Sequence, residues 1–273
     1  MINIGKSIKY YENNDFKHLN AISKVAQDII LSKIASTNLK NHITIKGGVV
    51  IYNITGNKRR ATQDLDISLL KYSIDEKSIK TLFNKLSNVN DGVSIRITKI
   101  NEILKKQDYK GKQVLLELTD SYGYIIDTKV GIGVQYDLDM EQEESVFYFE
   151  AFKGKITLLV NTKEQIFVEK LISLLRHKAR STRYKDIYDL YYFITATKLN
   201  KDIMDKSIKK YVFNDNLNID SYENINNILK KIFSNGLFVK GVERPKEKWL
   251  DIDSNTAFET ILEFIESFEK VSV

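Results

Sequence analysis

The spacing of apolar residues changes repeatedly along the first half of the chain and predicts helices that alternate with strands. Residues 15–40 carry isoleucines and valines at helical spacing. Residues 64–69 alternate polar and apolar with period two, which is typical of a half-buried strand. Other runs predict a helix over 74–87 and extended chain over 43–45, 93–97, 114–118, 124–130, 146–152 and 156–160. Residues 49–54 fit a strand, through their β-branched side chains, or a helix, through their position after a glycine pair.

The second half of the chain has a helical pattern. Thr162 and Gln165 form a capping-box pattern, which predicts a helix through about residue 180. Further helices are predicted near Asp186 and over 222–233 and 255–270. The change of pattern predicts an α+β domain over 1–155, built on a mixed β-sheet flanked by helices, and a mainly α-helical domain over 156–273.

The composition of the chain excludes several kinds of metal-binding and catalytic site. Its 273 residues carry a net charge of +6, from 42 Lys and Arg against 36 Asp and Glu. There is no Cys, so thiolate metal sites and cysteine nucleophiles are excluded. The three His (His18, His42 and His177) are widely separated, which disfavours a His-rich zinc site. Any metal site is therefore expected to consist mainly of carboxylates. We find no signal-peptide pattern and no run of about 18 apolar residues, so we expect a cytoplasmic protein with no membrane partner.

Asp64 and Asp66 are the strongest candidates for a carboxylate site. On a strand their side chains point to the same face, about 6–7 Å apart. At an effective dielectric constant of about 20 their repulsion is roughly 2–3 kcal/mol, a cost that a bound divalent cation removes. The pair therefore predicts a site for Mg²⁺ or Mn²⁺ that is shared with substrate phosphates. A second pair, Asp137 and Asp139, leads into an acidic segment with no glycine pair before it, and we disfavour it.

Residues near the aspartate pair add groups that bind phosphate. Gly47 and Gly48 offer backbone N–H groups that no Cβ shields. Lys46 and Arg60 add positive charge. A third carboxylate is needed if the site resembles nucleotidyl-transfer sites, and Asp127, which follows an apolar run, is the candidate. The alternative for Asp127 is a turn-forming residue at the end of a strand.

A dense basic stretch separates the first two predicted helices of the second half. The ten residues of 176–185 include five Lys or Arg, namely Arg176, Lys178, Arg180, Arg183 and Lys185. One interpretation is a solvated loop, and the other is contact with the phosphates of a nucleotide or nucleic acid.

Charged residues on the flanking helices also allow two interpretations. Lys170 lies on a polar stripe of the first helix, and Asp186 and Asp189 lie at the start of the second. In the plain interpretation, Asp186 and Asp189 cap their helix. Lys170 is then a solvated residue paired with Glu164 or Glu169.

Four motifs, in this order, resemble the AbiEii/AbiGii-type nucleotidyltransferase toxins. They are Lys46-Gly47-Gly48, Arg60-x-Thr62-x-Asp64-x-Asp66, Glu169-Lys170-Leu171 and Lys185-Asp186-x-x-Asp189-Leu190-Tyr191. The resemblance spans about residues 40–195. This family belongs to the DNA-polymerase-β-like nucleotidyltransferase superfamily, so the resemblance implies a nucleotidyltransferase-type sheet in the first domain.

The resemblance also implies roles for individual residues. The positions that would bind Mg²⁺ and nucleotide are Lys46, Gly47, Gly48, Arg60, Thr62, Asp64 and Asp66. Lys170 would contact nucleotide phosphates, and Asp186 would be an essential acid, so that the helical domain contributes both to the cleft. The family often has Ser or Thr directly after the glycine pair, where this chain has Val49 and lacks that hydroxyl.

The function implied by the resemblance is that of a toxin. Such a protein would transfer NMP from an NTP to an RNA acceptor, most simply the 3′ end of tRNA, and so inhibit translation. It would act in a toxin–antitoxin or phage abortive-infection system with a co-encoded antitoxin, and its RNA would pass over 176–185. Two alternatives stay open: a nucleotidyltransferase that modifies a protein or a small molecule, and a catalytically silent module that binds NTP or RNA.

Overall fold

The chain forms two compact units, Met1–Asn161 and Thr162–Val273. The computed structural model describes residues 1–103, 111–135, 142–213 and 217–269, so the disfavoured Asp137 and Asp139 lie outside the described residues. The units divide at 161/162 rather than at the predicted 155/156. The reason is that strand β7 (Gly154–Asn161) pairs within the sheet of the first unit.

Among the described residues of the first unit, seven strands form one mixed sheet. Besides β7, they are β1 (Ile43–Lys46), β2 (Leu65–Leu70), β3 (Val93–Ile103), β4 (Gly111–Asp120), β5 (Ile125–Gln135) and β6 (Gln142–Phe149). Their spatial order is β3-β4-β5-β2-β1-β7-β6. The pairs β2–β5 and β1–β7 are parallel and the other neighbours are antiparallel. The strands that carry the predicted site, β1 and β2, therefore lie in the interior of the sheet.

The helices of the first unit lie before and between its strands along the chain. They are α1 (Ile4–Asn13), α2 (His18–Ala35), α3 (Gly48–Thr55) and α4 (Glu76–Ser87), with 3₁₀ turns at Asn38–Asn41, Lys58–Arg60 and Glu150–Phe152. Residues 49–54 are thus helical, because Gly47 turns the chain into α3 and Gly56, in the left-handed region, ends it. We did not predict α1, which is short and is capped by the side chain of Asn3.

Side chains alternate between the two faces of the sheet along β2 and β5. Leu65, Ile67 and Leu69 are buried, and so are Val130 and Ile132 of β5. Because neighbouring residues of a strand point to opposite faces, Asp66 and its direct partner Gly131 lie on the other face. The hydrophobic core therefore fixes which face of the sheet presents the aspartates.

The second unit is helical in its described residues. Its helices are α5 (Lys163–His177), α6 (Lys185–Ala196), α7 (Lys201–Ile208), α8 (Tyr222–Phe233), α9 (Gly236–Val242) and α10 (Ser254–Glu266). The hydroxyl of Thr162 accepts a hydrogen bond from the N–H of Gln165 at 3.3 Å, which confirms the predicted cap of α5. Aromatic packing links α8 to α10, where the rings of Phe233 and Phe258 stack with centroids 4.3 Å apart.

The predicted fold class is confirmed: a mixed sheet flanked by helices precedes a mainly helical unit. None of the helices in the described part of the chain is long and apolar enough to cross a membrane.

Candidate active site

The turn from β1 to α3 requires glycine at two successive positions for two different reasons. Gly47 has φ +68° and ψ −143°, a backbone conformation that residues with a side chain rarely adopt. Gly48 has an ordinary backbone, but a Cβ there would lie 2.9 Å from the side chain of Thr62. Gly47 also faces the second aspartate, since its Cβ would lie 3.1 Å from Oδ2 of Asp66. The glycine pair, Thr62 and Asp66 therefore form one compact cluster.

This turn leaves the N-terminus of α3 available for an anion. Gly47 is the N-cap residue and has no side chain to accept from the first-turn N–H groups of the helix. A helix N-terminus carries partial positive charge and directs its N–H groups outward, which is how many proteins bind phosphate. The placement supports the predicted phosphate-binding role of Gly47 and Gly48.

Asp66 lies between two strands that both make room for its carboxylate. Across the sheet it pairs with Lys46 of β1 on one side and Gly131 of β5 on the other. A Cβ on Gly131 would lie 2.3 Å from Oδ1 of Asp66, a contact that no real structure tolerates. A Cβ on Gly133 would lie 3.2 Å from Nζ of Lys46, so the lysine extends across β2 toward β5. The Asp66 carboxylate therefore requires glycine at position 131, whereas the flexible end of Lys46 can move away from a side chain at position 133.

Asp64 directly precedes β2 and is balanced by a lysine. Its Oδ1 lies 2.8 Å from Nζ of Lys129, and the two side chains are 53% and 47% exposed. Leu65 pairs with Val130, so continuing the register by one residue puts Asp64 beside Lys129. The sequence did not indicate Lys129 or Gly131, because both depend on the parallel pairing of β2 with β5.

Arg60 differs from the other predicted phosphate ligands. It lies in the 3₁₀ turn Lys58–Arg60, and its side chain is buried, with 4% of the residue exposed. Arg60 also makes an interaction within the protein. The structure thus brings Arg60 into the segment before β2 and leaves Lys46 as the more accessible cation beside Asp66.

Asp127 is not the cross-strand neighbour of Asp66. It is exposed on β5 and is paired across the sheet with Glu117 of β4. Glu117 in turn accepts two hydrogen bonds from Arg96, at 3.0 and 2.6 Å, which lower the pKa of that carboxyl. Gly131, the partner of Asp66, comes four positions after Asp127 on β5, about 13 Å along a strand. The position next to Asp66 on β5 is a glycine and not a third acid.

The residues of this cluster fit a cation that is shared with substrate. The described parts of the chain contain no group of three or more His, Asp or Glu that could hold a metal without other ligands. Magnesium, however, is commonly held by one or two carboxylates together with water and substrate phosphates. Asp64 and Asp66, beside a glycine turn, match that pattern.

In the second unit, Lys170 is held by two carboxylates. Its Nζ bonds Oδ1 of Asp186 and lies 2.8 Å from Oδ2 of Asp189. The side chains of Lys170, Asp186 and Asp189 are 10%, 14% and 0% exposed. The plain interpretation of Asp186 as a helix cap was wrong, since the N-cap of α6 is Tyr184. Sequence reasoning missed Asp189 as a partner of Lys170, although its i, i+3 spacing from Asp186 puts both on one helical face.

The basic stretch forms the connection from α5 to α6. Its residues lie on the last turn of α5, a 3₁₀ turn at Lys178–Arg180, the loop after it and the start of α6. Lys178, Arg180 and Arg183 are exposed. Arg176 and Lys185 are half-buried and make contacts within the protein. Three of the five predicted RNA contacts are therefore open to a ligand.

A separate pocket of about 160 Å³ lies beside α3 in the first unit. Its deepest polar group is Asp28, which is fully buried and accepts hydrogen bonds from the Tyr11 hydroxyl and the Lys24 ammonium. Lys24 also lies over the rings of Tyr11 and Tyr52, at 5.4 and 5.6 Å from their centroids. Burial raises the pKa of Asp28, and it raises the pKa of Tyr52 to about 12. Asp28, Tyr11, Lys24 and Tyr52 therefore interact with one another, and their contacts join α1, α2 and α3.

A mixed sheet that presents two carboxylates beside a glycine turn fits the nucleotidyltransferase class that the motifs resemble. A family model described as nucleotidyl transferase AbiEii toxin, type IV toxin–antitoxin system, matches residues 29–269. The chain belongs to this AbiEii family of toxin-type nucleotidyltransferases.

One of the solved structures that resemble this chain has low sequence identity to it. It is an antigenic nucleotidyltransferase-like protein from Paracoccidioides brasiliensis, with 15% identity and a TM-score of 0.44, over 89% of this chain and 92% of that one. Among curated proteins there is no significant match.

Proposed function

We propose that this protein transfers a nucleoside monophosphate from an NTP to an RNA acceptor, the 3′ end of tRNA, and inhibits translation in this way. Membership of a toxin nucleotidyltransferase family supports the reaction class. The observation that carries the proposal is the cluster of Asp64 and Asp66 beside the Gly47–Gly48 turn. A cytoplasmic location and a co-encoded antitoxin follow from the same proposal.

Each residue of the cluster has a distinct part in the reaction. The N-terminus of α3 binds the triphosphate through backbone N–H groups, and Lys46 offsets its negative charge. Asp64 and Asp66 are the carboxylates that would hold Mg²⁺. When bound, the ion would offset charge on the phosphates and on the leaving group.

The transfer step forms one bond and breaks another. The acceptor hydroxyl oxygen bonds to the α-phosphorus, the bond between the α-phosphorus and the bridging oxygen breaks, and pyrophosphate leaves. The hydroxyl proton passes to water. Val49 lacks a hydroxyl, so in this chain the glycine turn binds phosphate through its backbone alone.

The second unit has proposed roles that rest on the resemblance and on charge. We assign a nucleotide-phosphate contact to Lys170 and an essential acid to Asp186. We assign RNA contacts to Lys178, Arg180 and Arg183, because each phosphate that a cation neutralises releases counterions and favours binding. Replacing these three with alanine is expected to weaken RNA binding and to flatten its dependence on salt, by about one unit of slope for each phosphate that is no longer neutralised.

The reaction is tested with label in two positions of the NTP. The protein is incubated with Mg²⁺, total tRNA and each NTP labelled at the α- or the γ-phosphate. We expect α-label on RNA and γ-label in pyrophosphate, and no transfer by Asp64→Asn or Asp66→Asn. Transfer to RNA that is equal in wild type and both variants, or no transfer to any RNA, would contradict the proposal. Label on protein or on a small molecule would instead support the alternative acceptor class.

A further inference from the structure

Lys129 has no role in the function proposed above, yet it is the cation that contacts the first aspartate. Its Nζ lies 2.8 Å from Oδ1 of Asp64. The contact does not come from neighbouring positions in sequence, since Lys129 is on β5 and Asp64 precedes β2. It comes from the parallel register, in which Leu65 pairs with Val130. The pairing of β2 with β5 therefore places the Lys129 ammonium beside Asp64, one of the two carboxylates that are predicted to bind a metal.

The exposure of this pair makes the contact exchangeable. About half of each side chain is exposed, 47% for Lys129 and 53% for Asp64. Water competes for both partners of such an ion pair, so the attraction between them is weak. A divalent cation that also contacts substrate phosphates binds carboxylates far more strongly than a single solvated ammonium. The lysine can therefore balance the aspartates without permanently blocking them.

We propose that Lys129 is a built-in counter-ion of the aspartate pair, which occupies Asp64 until a divalent cation displaces it. Lys129 is then a positioning residue: it reduces the repulsion between Asp64 and Asp66 in the metal-free protein, and it competes with metal for Asp64. This inference rests on the proposed metal-binding role of Asp64 and Asp66.

Metal binding by the apoprotein tests the competition without any activity measurement. Mn²⁺ is titrated into metal-free protein, and free Mn²⁺ is measured by electron paramagnetic resonance. Lys129→Met is expected to bind Mn²⁺ about two- to fivefold more tightly than wild type, because the competing ion pair is gone. Lys129→Arg is expected to resemble wild type. The matched control is Lys99→Met, since Lys99 is an exposed lysine two strands away in the same sheet register, and it is expected to change nothing.

Chemical labelling of lysines provides a second measurement. We expect Mg²⁺ to increase the acetylation rate of Lys129, measured by mass spectrometry, and to leave that of Lys99 unchanged. In Asp64→Asn, Lys129 is expected to react at the faster rate without metal. A rate for Lys129 that is the same with and without Mg²⁺ would contradict its displacement from Asp64.

The outcomes separate this inference from the function on which it rests. Unchanged or weaker Mn²⁺ binding in Lys129→Met, with wild type binding normally, would overturn the counter-ion role alone. Absence of specific Mn²⁺ binding in all variants, both without nucleotide and with a non-hydrolysable NTP analogue, would overturn the metal assignment and this inference with it. The label-transfer assay reports on nucleotidyl transfer independently of both.

Discussion

Two clusters in this chain each pair a lysine with an aspartate that has a second aspartate beside it, and the two ion pairs differ in exposure. In the first unit, Lys129 pairs with Asp64, whose neighbour on the same face is Asp66, and the ion pair is about half exposed. In the second unit, Lys170 is held by Asp186 and Asp189, with exposures of 10%, 14% and 0%. The same residue types therefore occupy two very different dielectric environments.

The difference in burial determines what each cluster can do. Water screens the open cluster, so its ion pair contributes little and its carboxylates can exchange one cation for another. The buried cluster has lost that screening, and each charge depends on its partners because an unpaired buried charge is very costly. We infer that the open cluster is suited to binding a metal with its substrate, and that the buried cluster holds Lys170 in a fixed position.

The largest effect is expected from neutralising the open aspartates. Asp64→Asn and Asp66→Asn should each reduce nucleotidyl transfer about a thousandfold or more, because cation and phosphate binding lose several kcal/mol of stabilisation. Stability should stay the same or rise slightly, since the repulsion between the two carboxylates disappears. The label-transfer assay and thermal unfolding measure the two quantities. A variant that loses activity only because it unfolds would contradict this assignment.

Removing the lysine from each cluster compares their energetics directly. Lys170→Met should lower the free energy of unfolding of the second unit by about 3–5 kcal/mol, because it leaves two buried carboxylates without their cation. Lys129→Met should lower that of the first unit by less than about 1 kcal/mol. Urea unfolding measures both, and the single Trp, Trp249, reports on the second unit by fluorescence. Equal losses in the free energy of unfolding would show that the difference in burial does not change how much each lysine contributes to stability.

The next largest effect is expected from replacing Gly131, the glycine beside the open cluster. Gly131→Ala places a Cβ 2.3 Å from Oδ1 of Asp66, so the carboxylate must move. Displacement of a reacting group by about 1 Å can reduce the rate about a hundredfold. Gly133→Ala is the matched control and should have a much smaller effect, because its Cβ would lie 3.2 Å from the flexible end of Lys46 and 3.5 Å, an ordinary contact, from Oγ of Ser68. Equal activity of the two variants would contradict the positioning role of Gly131.

Asp127 should give the smallest effect. It is exposed on β5, four residues before Gly131, and its cross-strand neighbour is Glu117. Asp127→Asn is therefore expected to retain most of the label transfer of wild type. A loss as large as that of Asp66→Asn would restore Asp127 as the third acid of the reaction.

The parts of the site that could be predicted from the sequence are local in the chain. The Gly47–Gly48 turn and the same-face pair Asp64 and Asp66 follow from turn chemistry and strand periodicity. Lys129 and Gly131 could not be predicted, because their contacts with these aspartates depend on which strands pair and in which register.

Dependence on contacts between elements that are distant in sequence also explains the other differences between the predictions and the structure. Asp189 contacts Lys170 only because α5 packs against α6, which one sequence does not reveal. The two compact units divide six residues after the predicted domain boundary, because β7 follows the short turn Glu150–Phe152 and continues the sheet. The α+β class and the helical second half depended on strong periodicity over many residues, and both are confirmed.

The central claim is that the open aspartates, and not another group of the chain, hold the cation that serves the nucleotide. A crystal structure with Mn²⁺ and a non-hydrolysable NTP analogue tests it most directly, because manganese is located by its anomalous scattering. We expect a manganese peak in contact with Asp64 and Asp66, the phosphates at the N-terminus of α3, and the Lys129 ammonium withdrawn from Asp64. A metal and nucleotide bound elsewhere, with the Lys129–Asp64 ion pair intact, would contradict the account.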